Sequence, residues 1–214
     1  MVSMDFFIYL LIAFVVGGIP FGLLAGYAFG KGDVRTRGSG NIGATNVWRV
    51  AGPTAAAVTF AGDIGKGVFA VLVCFGVYAP TWPVSESSAA LICGVAAILG
   101  HTFSPFLNFR GGKGVNTALG VFITLLPIET LIAFGMFAVL VVLFRYISLG
   151  SMVAAITLAA VLWIERYALQ RPIESLYLAA ATALAVLIIV THRENIKRLI
   201  QGTEHRFEVR KVGE

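Results

Sequence analysis

The sequence predicts an all-α protein, a polytopic membrane helix bundle of about seven transmembrane helices. Of its 214 residues, 58% are hydrophobic and only 13% are charged, whereas soluble domains average about 25% charged residues. The apolar residues form long segments, and the cations between them gather on one side. This composition excludes a disordered chain and a secreted disulfide scaffold, and it indicates that lipid covers the apolar surface.

Seven segments are long enough, or nearly so, to cross the hydrocarbon core, which takes about 20 helical residues. They are Phe6–Phe29, Thr54–Tyr78, Ser87–Phe106, Val115–Leu126, Ile128–Tyr146, Ser148–Tyr167 and Ser175–Thr191. No cation precedes the first segment, so we interpret it as a retained helix and not a cleaved signal. The fourth segment is short and Pro127 separates it from the fifth, so five or six crossings are the alternative.

The charge distribution predicts the orientation of these spans. If the N-terminus lies outside, thirteen of the 16 Lys and Arg residues fall in inward loops or the C-terminal tail, two fall in outward loops, and Lys66 lies within a span. The positive-inside rule expects this asymmetry. The sequence therefore predicts one integral membrane domain, residues 1–214, with a cytoplasmic C-terminus. The net charge of +5 indicates topology and not a nucleic-acid partner.

The first inward loop combines glycines with hydroxyl, amide and guanidinium groups. Its candidate anion-binding residues are Gly38, Ser39, Gly40, Asn41, Gly43, Thr45, Asn46 and Arg49. Glycines let backbone amides turn toward one anion, and arginine matches phosphate oxygens. The loop also fits G-x-G-x-x-G, but a span and not a strand precedes it, which argues against a dinucleotide site. We interpret it as an anion cradle; a plain turn-rich loop is the alternative.

The second inward loop places two cations among three glycines, in Arg110-Gly111-Gly112-Lys113-Gly114. A predicted helix follows directly, and a helix N-terminus also attracts anions. The loop is not a Walker A motif, because Gly114 stands where Ser or Thr would follow the lysine. It is interpreted as a second anion cradle, with a headgroup-facing turn as the alternative. His101, before this loop, is expected to be a structural or hydrogen-bonding residue and not a base.

Two further groups of residues are candidates. His192 and Asn195 lie three apart on one face of a predicted helix, and Glu204 follows them as a residue that orients a cation or is solvated. Asp63 and Lys66 lie one turn apart inside the second span. Ionisable groups at membrane depth suggest function by default, although a purely structural ion pair is equally expected.

The three motifs together resemble those of the bacterial acyl-phosphate:glycerol-3-phosphate acyltransferases. They are Gly38-Ser-Gly-Asn-Ile-Gly-Ala-Thr-Asn46, Phe109-Arg-Gly-Gly-Lys-Gly-Val115 after Gly100-His-Thr-Phe103, and H-x-x-N-I-x-R-L-x-x-G-x-E from His192 to Glu204. The resemblance implies transfer of a fatty acyl group from acyl phosphate to the sn-1 hydroxyl of glycerol 3-phosphate, in the bacterial inner membrane with the site facing the cytoplasm. It implies no cofactor and no metal, and an upstream enzyme that makes the acyl phosphate.

The resemblance also implies a polar lining made by Ser39, Arg49, Lys113, His192 and Asn195. We expect Lys113 to neutralise the leaving phosphate and Arg49 to bind the glycerol 3-phosphate head. His192 is the candidate base, but we favour a substrate phosphate as the proton acceptor, because an acyl phosphate needs proximity more than a strong base. The alternative functions are a transporter for a phosphorylated metabolite and a lipid-binding module without activity.

Overall fold

The computed structural model describes residues 4–79, 82 and 84–207, and this part of the chain is helical and contains no strand. Its helices are α1 (Met4–Gly18), α2 (Phe21–Ala28), α3 (Ala44–Ala51), α4 (Pro53–Val77), α5 (Glu86–Thr102), α6 (Val115–Leu125), α7 (Pro127–Phe144), α8 (Ile147–Tyr167), α9 (Ser175–Thr191) and α10 (Arg193–Ile200). The all-α prediction is confirmed. Arg210 and Lys211, counted above among the inward cations, lie outside the described residues.

The helices that qualify as membrane spans agree with the predicted segments. Among the described residues, five stretches are long and apolar enough to cross: Met4–Ala28, Pro53–Val77, Glu86–Leu107, Pro127–Phe144 and Ile147–Tyr167. A sixth is the pair α9 and α10, which bend by 59°. Helix α6 has 11 residues, which is about half the thickness of the hydrocarbon core. Seven crossings remain a prediction that requires both α6 and α9 to cross.

Sequence signals explain where the helices nearest the polar loops begin and end. Pro20, which has no N–H to donate, separates α1 from α2. Helix α4 begins with Pro53 directly after Gly52, whose φ of 88° suits a residue without a side chain. At α5, the Ser85 side chain caps the helix by accepting from the Ser88 N–H at 3.2 Å.

The chain forms two compact units, Met1–Pro127 and Ile128–Glu214. In the first unit, α4 packs on α5 and α6, while α1 packs on α5. In the second, α8 packs on α9. The first unit holds both glycine-rich loops, and the second holds the His192 motif.

Helices of the first unit pack backbone to backbone at glycines. A Cβ at Gly67 of α4 would overlap the carbonyl of Thr117, and a Cβ at Gly120 of α6 would overlap that of Ile64. Small residues allow this close approach in membrane helices. The contact brings the charged turn of α4 beside the first turns of α6.

The burial pattern of this protein is the reverse of the pattern in a soluble protein. Leu11 and Val142 are 63% and 77% exposed, whereas Asp63, Lys66 and His101 are almost fully buried. Ionisable residues in membrane proteins face the bundle interior in this way. The buried polar residues of the first unit are therefore candidates for a functional role.

Candidate active site

The side chain of Asn46 orders the first loop, Val34–Gly43. Its Nδ2 donates to the carbonyls of Val34 at 2.9 Å, Asn41 at 2.8 Å and Arg37 at 3.2 Å. Its Oδ1 accepts from the Ser39 N–H at 2.8 Å. Asn46 is 1% exposed, so its amide is used by the loop itself. The prediction placed Asn46 among residues that bind substrate, whereas the structure makes it the residue that shapes the loop.

Three backbone amides of the predicted first cradle donate within the loop. The N–H groups of Ser39, Gly40 and Gly43 donate respectively to Asn46 Oδ1, the Arg37 carbonyl and Asn41 Oδ1. These three N–H groups satisfy the loop's own turns, and anion binding by the loop stays a prediction. Side chains remain to contact an anion.

The first loop presents several polar groups outside the buried Asn46. Gly38, Ser39 and Gly40 are exposed, while Asn41, Gly43, Thr45 and Arg49 are half-buried. Thr45 and Arg49 are four residues apart on α3 and so share one face of that helix. This face and the Ser39 hydroxyl are accessible polar groups, and Arg35, Thr36 and Arg37 of the loop are exposed as well.

The second loop, Phe103–Gly114, is bound back onto the end of α5. The Gly111 N–H donates to the Thr102 carbonyl and the Gly112 N–H to the His101 carbonyl, both at 3.0 Å. These two amides are likewise used by the fold. Lys113 follows them, half-buried, directly before the N-terminus of α6. Since the first amides of a helix have no partners within it, positive charge concentrates at Lys113 and the start of α6.

Behind the second loop lies a buried charge cluster of Asp63, Lys66 and His101. Lys66 Nζ is 2.8 Å from Asp63 Oδ1, the ion pair expected from the three-residue spacing. The same ammonium lies 2.7 Å from His101 Nδ1 and donates to the Ile19 carbonyl at 3.0 Å. His101 Nδ1 lies farther from Asp63 Oδ1, at 3.5 Å. The cluster joins α4, α5 and the break between α1 and α2.

In the second unit, His192 lies at the junction of α9 and α10 and is 3% exposed. Its Nδ1 is 2.7 Å from the Ile188 carbonyl. Because a carbonyl only accepts, Nδ1 carries the proton, and Nε2 of the neutral ring is an acceptor. The imidazole is thus held in one orientation and one tautomer.

Glu204 ties the end of the third motif together. Its Oε1 accepts from Asn195 Nδ2 at 2.6 Å and Ser148 Oγ at 2.7 Å, and its Oε2 accepts from Arg198 Nε at 2.7 Å. Burial alone would raise the pKa of Glu204, but the hydrogen bonds from Asn195, Ser148 and Arg198 outweigh it and lower the pKa. Of the two roles expected from the sequence, the structure shows the first: Glu204 binds the Arg198 cation, and it also orients the Asn195 amide. Substrate binding by Glu204 stays a prediction.

Sequence reasoning missed Ser148 and the partner of His101. Ser148 lies in the first turn of an apolar span, and no pattern distinguishes its hydroxyl from an ordinary helical serine. His101 is a hydrogen-bonding residue, as expected, but its partner Lys66 is 35 residues away on another helix. Only the packing of α4 on α5 brings them together.

The fold and these loops define an integral membrane protein with two glycine-rich turns that carry cationic side chains. A family model described as "Glycerol-3-phosphate acyltransferase" matches residues 7–202. The chain belongs to the glycerol-3-phosphate acyltransferase family and is an integral membrane acyltransferase of phospholipid biosynthesis.

Relatives and solved structures agree with this assignment. A glycerol-3-phosphate acyltransferase of Geobacter sulfurreducens is 46% identical over 199 residues, covering 92% of this chain and 95% of the relative. Glycerol-3-phosphate acyltransferase 2 of Bacillus anthracis is 40% identical over 200 residues, covering 92% of this chain and 97% of the relative.

Two crystal structures of the integral membrane glycerol 3-phosphate acyltransferase PlsY are similar to this chain. The glycerol 3-phosphate form superposes with a TM-score of 0.84 at 34% identity, and the lysophosphatidic acid form with 0.81 at 33%. Each comparison covers 95% of this chain and 96% of the other.

Proposed function

We propose that this acyltransferase moves a fatty acyl group from acyl phosphate to the sn-1 hydroxyl of glycerol 3-phosphate, giving lysophosphatidic acid and inorganic phosphate. The observation that carries the proposal is the position of Lys113. A turn that is hydrogen-bonded to the end of α5 places this residue directly before the N-terminus of α6. The related crystal structures contain the acceptor and the acylated product, which supports this acceptor for the present chain.

In the proposed step, the sn-1 oxygen attacks the carbonyl carbon of acyl phosphate, and the bond between that carbon and the phosphate oxygen breaks. The phosphate leaves with the electron pair, and a phosphate oxygen takes the hydroxyl proton. Lys113 stabilises the charge that grows on the leaving phosphate. Arg49 and the Ser39 hydroxyl bind glycerol 3-phosphate. No cofactor takes part.

His192 and Asn195 act in this proposal as positioning groups. The hydrogen bond between Nδ1 and the Ile188 carbonyl fixes the imidazole ring of His192, and Glu204 fixes the Asn195 amide. His192 as the base is the alternative. A pH–rate profile separates the two roles: if His192→Asn removes a limb near neutrality, His192 is the base.

We further propose that the chain acts as one domain in the bacterial inner membrane, with its N-terminus outside and its polar loops facing the cytoplasm. The excess of Lys and Arg in the inward loops supports this orientation. A cytoplasmic site receives acyl phosphate from an enzyme that phosphorylates the carboxylate of a free fatty acid, or that cleaves an acyl thioester with inorganic phosphate and releases the thiol.

The test is a donor comparison with the purified full-length protein in detergent. Acyl phosphate plus glycerol 3-phosphate is expected to release phosphate and form lysophosphatidic acid in equal amounts, whereas acyl-CoA with the same acceptor gives no product. Glycerol replacing glycerol 3-phosphate is the matched control for recognition of the acceptor's phosphate. Product from acyl-CoA, or phosphate release that ignores glycerol 3-phosphate, would contradict the proposal.

A further inference from the structure

The buried charge cluster has no direct part in the proposed reaction, although it is expensive to form. Asp63, Lys66 and His101 are 1%, 3% and 3% exposed. Burying an ion costs several kcal/mol, and apolar replacements of buried ion pairs are often as stable. What the cluster contacts therefore indicates why the fold contains it.

The cluster sets the orientation of the His101 ring. A lysine ammonium only donates, so His101 Nδ1 accepts from Lys66 and the ring proton lies on Nε2. Asp63 holds Lys66 in place through its Oδ1. With one ring nitrogen tied to Lys66, the other edge of the imidazole has a fixed direction.

That outer edge lies against Gly112. A Cβ added at Gly112 would collide with His101 Nε2, and would lie 2.9 and 3.1 Å from Cε1 and Cδ2 of the same ring. The His101 carbonyl also accepts the Gly112 N–H at 3.0 Å. His101 thus holds Gly112 by both its backbone and its ring, and Lys113 is the next residue.

We propose that Asp63, Lys66 and His101 are positioning residues for Lys113: they fix the His101 ring, which fixes the Gly111–Gly114 turn and the direction from which Lys113 leaves it. This inference rests on the role proposed above for Lys113. If the cluster only stabilised the fold, mutating it would lower the stability of the protein, and the accompanying loss of turnover would be the same whether or not Lys113 is present.

A double-mutant cycle separates these two roles. His101→Asn keeps an amide near the position of Nδ1 but removes the ring edge at Gly112. Turnover per folded enzyme is expected to fall by about 100-fold, since a displacement of about 1 Å has that effect, and His101→Asn in a Lys113→Ala background should cause no further loss. Equal fold losses in both backgrounds would show a purely structural role.

Two variants control for folding. Arg171→Met removes the cation 2.6 Å from Glu165, a buried carboxylate of the second unit, and should leave turnover per folded enzyme unchanged. The double variant Asp63→Asn with Lys66→Met removes both charges together, so no unpaired ion remains.

This double variant should lose turnover as His101→Asn does, and it should remain monodisperse in detergent. Normal turnover of the double variant would overturn the proposal.

A second double-mutant cycle tests the contact itself. Gly112→Ala should lose turnover by about 100-fold, because its Cβ would overlap the His101 ring and displace the turn. Adding His101→Ala should cause little further loss, because both changes disturb the same contact. Losses that multiply in the double variant would overturn the proposed contact.

Hydrogen exchange of the full-length wild-type, His101→Asn and Arg171→Met proteins gives a readout without activity. Residues 109–115 should exchange faster in His101→Asn only, and unchanged exchange there would overturn the inference. A wild-type enzyme that releases no phosphate, together with faster loop exchange in His101→Asn, would instead contradict the proposed function and leave the positioning of the turn supported.

Discussion

The two glycine-rich loops of the first unit both combine glycines with cations, but they are held in different ways. The first loop is ordered by one neutral side chain, Asn46, which bonds four backbone groups. The second is bound by backbone hydrogen bonds to α5, with buried ions behind it. A loop ordered by a single amide exposes its residues, whereas a loop set on a buried cluster fixes one lysine. This difference supports the proposal that the first loop binds glycerol 3-phosphate and that Lys113 of the second loop stabilises the leaving phosphate.

The largest effect is expected at Lys113. Lys113→Ala should reduce turnover by about 10²- to 10³-fold, as loss of one preorganised stabilising group does, without a change in melting temperature. Phosphate release and thermal unfolding in detergent measure this. Lys31→Ala, at an exposed cation preceding the first loop, is the matched control and should be neutral. Near-normal turnover of Lys113→Ala would remove this residue from the mechanism.

The next largest effect is expected at Asn46. Asn46→Ala leaves buried backbone groups without partners, which costs about 1–3 kcal/mol of stability, and should disorder the first loop. Faster hydrogen exchange over residues 33–46 and a raised KM for glycerol 3-phosphate measure this. Asn41→Ala removes only the bond from the Gly43 N–H and should do less. If both variants behave alike, Asn46 does not hold the loop.

A smaller effect, visible through pH, is expected at Glu204. Its pKa is lowered in the folded protein, so its contribution to stability is present above the ordinary glutamate pKa and is lost as pH falls through the lowered value. The melting temperature of the wild type should exceed that of Glu204→Gln at pH 7. This difference in melting temperature should shrink on acidification below about pH 4.3. A difference that is independent of pH would contradict the ionised cluster.

The smallest effect is expected at the surface ion pair of Asp33 and Arg35, at the start of the first loop. The side-chain hydrogen bond from Arg35 lowers the pKa of Asp33, but an exposed ion pair contributes about 0–1 kcal/mol. Arg35→Ala should shift the melting temperature only slightly, and less at high salt. A large shift that salt does not change would show that this pair helps to order the loop.

The sequence predicts the helical architecture well because lipid imposes long apolar segments, and the spacing of Asp63 and Lys66 predicts their ion pair. It fails where a side chain's role depends on distant packing. Asn46 is of a residue type that often binds ligands, yet its side chain is buried and its amide bonds to the loop backbone. His101 meets Lys66 only through the contact between α4 and α5. The glycines of both loops are typical of an anion cradle, but several of the loop N–H groups form hydrogen bonds within the turns themselves.

The most direct test follows the oxygen that bridges the acyl and phosphoryl groups of acyl phosphate. With ¹⁸O at that position and glycerol 3-phosphate as acceptor, cleavage at the carbonyl carbon predicts the label in released phosphate and none in lysophosphatidic acid. Label retained with the acyl group would mean that the phosphorus–oxygen bond breaks, and it would contradict acyl transfer from acyl phosphate by this protein.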